Sequence, residues 1–84
     1  MMFIRSPDDL TVVVKEQRKN LKLSQAEVGD LVGLKQATVS AFENKPGATQ
    51  LDTLFRILAA LNLEIAVNVR GEDVAEKTQW KEEW

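Results

Sequence analysis

The chain has 84 residues, of which 44% are hydrophobic and 29% are charged, and its formal net charge is −2. This length allows one small domain, and the composition is that of a globular chain. The sequence contains no cysteine, histidine or tyrosine, which excludes disulfides and thiolate metal sites and removes the most common zinc ligands and proton-transfer groups. The carboxylates, lysines and serines form no recognisable catalytic spacing, so we expect neither an enzyme nor a metal or cofactor site.

Hydropathy and charge along the chain limit the partners that we expect. No apolar run approaches the roughly 18–20 residues that span a bilayer, and the opening MMFIRSP lacks the apolar stretch of a signal peptide. These features predict a cytoplasmic protein with no membrane partner. Residues 1–70 contain nine basic and eight acidic residues, a net of +1, whereas residues 71–84 contain two basic and five acidic residues, a net of −3. The acidity therefore belongs to the tail, and residues 1–70 remain compatible with an anionic partner.

The first predicted helix begins at SPDDL. Ser6 suits the N-cap, Pro7 suits the first helical position, and the two aspartates favour the positive end of the helix. Apolar residues then follow on one helical face: Leu10, Val13, Val14 and Leu21. Arg18, Lys19 and Lys22 cluster near the end of this helix, where they either attract phosphate or only complement the helix dipole.

Two short helices joined by a tight turn follow. Ser24 and Glu27 have the spacing of a capping box at the start of the first of them. Gly33 suits the left-handed conformation that commonly ends a helix. The second short helix is predicted from about Gln36 to Asn44, after which the Pro-Gly pair in NKPGATQ breaks the chain.

These two short helices meet the requirements of a helix-turn-helix. Gly29 provides the small residue needed where the helices cross, and Gly33 permits a positive φ in the turn. The apolar residues expected behind them are Val28, Val32, Leu34, Val39 and Phe42. The outward residues of the second helix carry no acid before Glu43: Lys35, Gln36, Ala37, Ser40 and Ala41. Such a face suits contact with base edges, because Gln can bond adenine, Lys can reach guanine acceptors and a methyl group can pack on thymine.

The fourth predicted helix lies within TQLDTLFRILAALN. Thr49 or Gln50 is expected to cap it, and Asn62 is expected to end it. Its predicted core stripe consists of Leu51, Leu54, Phe55, Leu58 and Leu61. Ile57 and Ala60 lie off this stripe, which indicates a second apolar contact.

Apolar and polar residues alternate over residues 63–69, a pattern that predicts a half-buried β-strand. The apolar positions, which we expect to form a dimer interface, are Leu63, Ile65, Val67 and Val69. An unpaired strand is an aggregation hazard, so we predict that this one pairs with the same strand of a second copy across a two-fold axis. Pairing with residues near Phe3 and Ile4, or an unpaired apolar segment, are the alternatives.

The tail over residues 71–84 is acidic and contains both tryptophans, Trp80 and Trp84. Tryptophan is costly to expose and is common at binding hot spots. Its polar, charged surroundings predict a flexible tail that docks on a partner. In the alternative, one or both tryptophans fold back on their own domain.

The segment LSQAEVGDLVGLKQATVSAFEN, followed by LDTLFRILAALNL, resembles the Xre/lambda-repressor-like helix-turn-helix family over nearly half of the chain. The resemblance implies a mainly α fold: a four-helix lambda-repressor-like domain over residues 1–70, with the strand 63–69 forming an intermolecular two-stranded sheet in a homodimer. Gly29 departs from the family, which more often has Ala there. Glycine costs a helix about 1 kcal/mol, and the sequence offers no compensation.

The resemblance also implies the roles of individual residues. The residues expected to contact bases in the major groove are Lys35, Gln36, Ala37 and Ser40. The residues expected to contact phosphates are Ser24, Gln25, Thr38, Asn44 and Lys45, together with the weaker candidates Lys19 and Lys22. Glu43 is expected to pair with a cation such as Arg18 rather than to contact DNA.

The chain is similar to HipB-type antitoxins in four features: the segment GLKQATVSAFEN, the early Ser-Pro, the strand after helix four and the Glu-Trp ending. The similarity implies a repressor of palindromic operator double-stranded DNA that also binds and neutralises a HipA-like serine/threonine kinase toxin. Candidate residues for the toxin surface are Ile57, Ala60, Trp80 and Trp84. A solitary repressor without a toxin and an interaction module that does not bind DNA are the alternatives. The Glu-Trp ending favours the antitoxin, and the acid-free helix face argues against the module.

Overall fold

A computed structural model describes residues 3–70, and these residues form four α-helices. The helices are α1 (Pro7–Asn20), α2 (Gln25–Val32), α3 (Gln36–Asn44) and α4 (Leu51–Ala60), with a 3-10 turn at Pro46–Ala48. Within this part of the chain, no helix is long and apolar enough to cross a membrane. The tail predicted over residues 71–84, with Trp80 and Trp84, lies outside the described residues.

The predicted start of α1 and both predicted ends of α2 are confirmed by their backbone and side-chain geometry. Ser6 caps α1 by accepting a hydrogen bond from the backbone N–H of Asp9 at 3.1 Å. Ser24 and Glu27 form the predicted capping box of α2, and Gly33 ends α2 with φ at 72°. Because each motif depends on residues within one turn, the sequence alone was sufficient to locate it.

The core is built from all four helices and is enclosed by apolar residues of the turns. Its buried side chains are Val14, Val28, Val39, Phe42, Ile57, Leu58 and Leu61. Helix α2 packs against both α3 and α4, and α1 packs against α3. The Gln17 side chain of α1 also donates a hydrogen bond to the carbonyl of Leu61 at 2.9 Å, which ties α1 to the end of α4.

Gly29 lies within α2 and faces the turn that leads into α3. Its carbonyl accepts a hydrogen bond from the Leu34 N–H at 2.8 Å. A Cβ atom at Gly29 would collide with the Leu34 carbonyl oxygen and would lie 3.2 Å from the Leu34 carbonyl carbon. This close backbone approach is the compensation for the helix-propensity cost of glycine that the sequence did not reveal.

The predicted core stripe of α4 is partly wrong. Leu51 and Phe55 are 70% and 53% exposed, whereas Ile57 is fully buried. The buried face of α4 is therefore rotated towards Ile57, Leu58 and Leu61. Ile57 was a candidate for the toxin surface, and this candidate is corrected because its side chain is inside the domain core. Ala60, the second candidate on α4, is half-buried against the same core.

Residues 63–69 form neither helix nor strand within the part of the chain that the structure describes. The alternative in which they pair with Phe3 and Ile4 is therefore not realised. Leu63 packs against the core of its own domain, and its N–H bonds the Leu58 carbonyl at 2.9 Å. Val67 is 87% exposed. Leu63 thus closes the end of α4, and an exposed apolar segment follows it.

Candidate nucleic-acid interface

The N-terminal half of α3 presents the residues that were predicted to contact bases. Lys35, Gln36 and Ala37 are exposed, and Ser40 is half-buried. Val39 and Phe42, on the opposite side of the helix, are buried in the core. The first turn of α3 contains no acidic residue. The structure thus gives the helix one apolar side that anchors it and one polar, acid-free side that is open to a partner.

Glu43 lies beneath this surface and pairs with Arg18, as predicted. The Arg18 Nε donates to Glu43 Oε2 at 2.8 Å, and the Arg18 Nη2 donates to Glu43 Oε1 at 3.0 Å. Glu43 is only 5% exposed. Arg18 also donates to the carbonyl of Leu23 at 3.1 Å. This two-pronged pair therefore joins α1, the segment before α2, and α3 at one point.

The environment of Glu43 keeps it ionised. Burial by itself raises the pKa of the Glu43 carboxyl. Hydrogen bonds from Arg18 and Gln25, together with the positive charges of Arg18 and Lys15, outweigh burial, and the pKa of Glu43 lies below its ordinary value. The hydrogen bond to Glu43 in turn raises the pKa of Arg18. The pair is therefore a true ion pair at neutral pH.

Gln25, the first residue of α2, connects the buried pair to the surface of α3. Its Nε2 donates to Glu43 Oε1 at 3.0 Å, and its Oε1 accepts from the Nε2 of Gln36 at 2.8 Å. Gln25 was predicted to contact a phosphate, and Gln36 was predicted to contact a base. The structure brings the two side chains into direct contact, which local sequence patterns could not reveal.

The other predicted phosphate contacts surround this centre. Ser24 uses an acceptor lone pair of its hydroxyl to cap α2, so its hydroxyl proton remains available as a donor. Asn44 donates to the Oγ of Ser40 at 3.2 Å and is itself exposed. Thr38 is half-buried. The lysine candidates are all exposed, and none joins an ion pair within residues 3–70: Lys19, Lys22, Lys35 and Lys45.

Comparison with known proteins identifies the family. A family model described as "Helix-turn-helix" matches residues 14–68. The chain belongs to this helix-turn-helix family. The antitoxin HipB of Escherichia coli strain K12 is 41% identical over 64 residues, which cover 76% of this chain and 73% of HipB. This helix-turn-helix chain is thus similar to the antitoxin HipB.

Solved structures of HipB have the same fold as this helix-turn-helix domain. A "HipB-O4 20mer complex" superposes with a TM-score of 0.80 at 37% identity, covering 83% of this chain and 99% of the other. A "HipA-HipB-O2-O3 complex" gives the same TM-score, identity and coverage. The likeness therefore extends over most of this chain and nearly all of each HipB chain.

The helix-turn-helix surface also includes residues that sequence reasoning missed. An open groove of about 320 Å³ runs between α3 and the start of α4. Its lining residues are small or uncharged: Ala37, Thr38, Ala41, Ala48, Thr49, Gln50 and Thr53. Thr49 and Gln50 had been considered only as helix caps, and Gln50 makes no side-chain capping bond. No pattern in the sequence indicates this groove, because its uncharged lining residues come together only once the helices pack.

Proposed function

We propose that this chain is a HipB-like antitoxin that represses transcription by binding operator double-stranded DNA. The observation that carries the proposal is the acid-free face of α3, whose Gln36 is hydrogen-bonded to Gln25 at the start of α2. A glutamine held in this way is ready to contact a base edge, because its side chain is already partly ordered. The similarity to HipB in the "HipB-O4 20mer complex" supports the proposal.

In this proposal α3 enters the major groove with its N-terminal half against the bases. Gln36 recognises adenine through its amide, and Lys35 reaches the acceptors of guanine. Ala37 offers a methyl group to thymine, and Ser40 bonds a neighbouring base edge. The small side chains at these last two positions allow the helix backbone to approach the bases closely.

Phosphate contacts hold the domain in register but do not distinguish sequences. The start of α2 suits a phosphate, because its free N–H groups and helix dipole favour an anion beside the hydroxyl of Ser24 and the amide of Gln25. Further contacts are proposed for Thr38, Asn44, Lys45, Lys19 and Lys22. Thr49 and Thr53, which line the groove beside α3, extend the same surface.

The active form in this proposal is a homodimer. Ile65, Val67 and Val69 have no strand partner within residues 3–70, and Val67 is largely exposed. Pairing of residues 63–69 with the same segment of a second copy satisfies their backbone and covers these side chains. The two α3 helices would then lie about 34 Å apart and match a palindromic operator.

The second proposed partner is a HipA-like serine/threonine kinase toxin, which the antitoxin binds and neutralises. A complex of HipB with HipA supports this partner. Ala60, Trp80 and Trp84 remain candidate contacts, and Trp80 and Trp84 lie outside the described residues. Ile57 is no longer a candidate, because its side chain is fully buried.

The base-contacting role of Gln36 is tested on the preferred duplex selected from a random library. Gln36→Ala should weaken binding by about 1–3 kcal/mol at one base position and relax the preference there. The matched control is Lys45→Ala, which should weaken all duplexes alike and lower the salt slope by about 1. A uniform loss for Gln36→Ala across duplexes with every base at each position would reduce Gln36 to a phosphate contact.

A further inference from the structure

A directed chain of hydrogen bonds runs from the core to the surface of α3. It begins at Arg18, which donates twice to the carboxylate of Glu43 at 2.8 and 3.0 Å. Gln25 donates to the same carboxylate at 3.0 Å, and Gln36 donates to Gln25 at 2.8 Å. The chain therefore connects a buried ion pair to the exposed amide of Gln36.

The direction of this chain follows from the chemistry of its buried end. An ionised carboxylate can only accept hydrogen bonds, and an amide has distinct donor and acceptor ends. Glu43 is paired with Arg18 and is almost fully buried, so Gln25 must turn its NH₂ group towards it. The carbonyl oxygen of Gln25 then faces α3, where it can only accept.

The orientation of Gln25 determines what Gln36 can offer outside. One of the two N–H groups of Gln36 is used to donate to the Gln25 oxygen. Its own carbonyl oxygen and its second N–H remain free for a partner. One acceptor beside one donor is the pattern that complements the N6–H donor and N7 acceptor of adenine, whereas guanine presents two acceptors.

We propose that Glu43 is a positioning residue for base recognition, which acts through Gln25 to orient the amide of Gln36 towards adenine. This inference rests on the proposed DNA-binding function. It adds a residue that determines base preference without contacting DNA. Glu43 lies under the interface and contacts Gln25 rather than a base. The charge of its carboxylate matters because it forbids the reversed orientation of the Gln25 amide.

Glu43→Gln tests the proposal by making the buried end able to donate as well as accept. Gln25 can then adopt either orientation, and in the reversed one its NH₂ group donates to the oxygen of Gln36. The donor and the acceptor of Gln36 thereby exchange places, so that they no longer match N6–H and N7 of adenine, and an N–H faces the position that O6 occupies in guanine. We expect the ratio of adenine-site to guanine-site binding to fall about tenfold, which is within the range of one bidentate base contact. The measurement is competition between duplexes that differ only at the base contacted by Gln36.

Gln25→Met provides the second variant, on a half-buried side chain that is not a member of the Arg18–Glu43 ion pair. It should lower the same ratio about tenfold, and adding Glu43→Gln should lower it no further, because residues that act in series are not additive. An unchanged ratio in Glu43→Gln, or losses that multiply in the double variant, would overturn the proposal. A structural defect alone would lower binding to all duplexes equally and leave the ratio unchanged.

A measurement on the unaltered protein covers the case in which Glu43→Gln does not fold. Through-hydrogen-bond scalar couplings in the NMR spectrum should link Gln36 Nε2 to Gln25 Cδ, and Gln25 Nε2 to Glu43 Cδ. Coupling in the reverse direction, from Gln25 Nε2 to Gln36 Cδ, would overturn the proposal. If Gln36→Ala also leaves base preference unchanged, the failure lies in the proposed function; if only Glu43→Gln and Gln25→Met do so, it lies in this inference.

Discussion

At Gly29 the absence of a side chain makes room for the backbone of the next turn. The Leu34 carbonyl occupies the place where a Cβ would be, so the obstacle is main chain and cannot rotate away. Glycine at position 29 permits the close approach of the Leu34 carbonyl, and this packing offsets its helix-propensity cost.

Gly29→Ala should consequently destabilise the domain although alanine is the better helix former. The gain in propensity is about 1 kcal/mol, whereas overpacking against a fixed neighbour costs about 1–3 kcal/mol. We expect a net loss of about 1 kcal/mol in the free energy of unfolding, measured by urea denaturation. Gly47→Ala is the matched control, since a Cβ there meets nothing within 4 Å, and it should change stability by less than about 0.5 kcal/mol. A gain for Gly29→Ala would mean that the turn moves freely.

Between elements, the Arg18–Glu43 pair links α1 to α3 and makes stability depend on pH. A carboxyl whose pKa is lowered by folding binds fewer protons in the folded chain than in the unfolded chain at intermediate pH. Its stabilising contribution is complete above the ordinary glutamate pKa of about 4.3. That contribution is lost as the pH falls through the lower pKa of the folded state.

Comparison of the unaltered protein with Glu43→Gln isolates this contribution. At pH 7 we expect the variant to be about 2 kcal/mol less stable, because hydrogen bonds accepted by a charged carboxylate are stronger than those accepted by the neutral amide that replaces it. The difference should narrow as the pH is lowered from about 5 to about 3, across the ordinary glutamate pKa of about 4.3, since the unfolded chain then binds a proton that the folded chain resists, whereas the amide does not titrate. Urea denaturation at each pH measures both stabilities. A difference that stays constant over this range would show that the Glu43 charge does not contribute.

The helices themselves were largely predictable, whereas the orientation of α4 was not. Ser6, Ser24 and Gly33 mark helix ends through contacts within one turn, so the sequence alone indicates them. In α4 almost every position is apolar or neutral, and periodicity permits more than one buried face. Packing against α2 selects the face that contains Ile57, and Phe55 is left exposed.

In the candidate site, as in the fold, features within one helix were predictable, whereas most contacts between helices were not. The outward residues of α3 follow from helical spacing, and the pairing of Glu43 with a cation such as Arg18 follows from the repulsion between an acid and nearby phosphates. The bond between Gln25 and Gln36 joins residues eleven positions apart on different helices. No local rule specifies such a contact, because it depends on how closely α2 and α3 pack.

For the whole molecule, two truncations should separate the proposed activities. Removal of residues 71–84 should leave operator binding and the dimer intact but abolish co-purification of the kinase, since the tail has both tryptophans. Removal of residues 64–84 should also give a monomer with weak operator binding, because the proposed strand pairing is lost while Leu63 still covers the core. Light scattering measures the oligomeric state, gel-shift titration measures operator binding, and co-purification reports kinase binding.

The two truncated chains serve as controls for each other. Both retain every residue of α1 to α4, so a cooperative thermal unfolding transition in each, as in the full chain, would indicate that the domain itself still folds. A dimer after removal of residues 64–84 would contradict the proposed strand pairing and direct attention to the exposed Leu51 and Phe55 on α4. Kinase binding that survives both truncations would move the toxin surface onto the helices.

The hydrogen-bonded chain through Glu43 has a consequence for how such proteins diverge. Replacement of a buried ion pair by apolar residues of similar volume is often neutral or stabilising, so protein stability alone would allow Arg18 and Glu43 to drift together. Under the proposed role of Glu43, after loss of the pair the orientation of the Gln36 amide would no longer be fixed through Gln25. The preferred operator sequence would then change. Natural variation at these two core positions should then follow changes in the operator rather than changes in growth temperature.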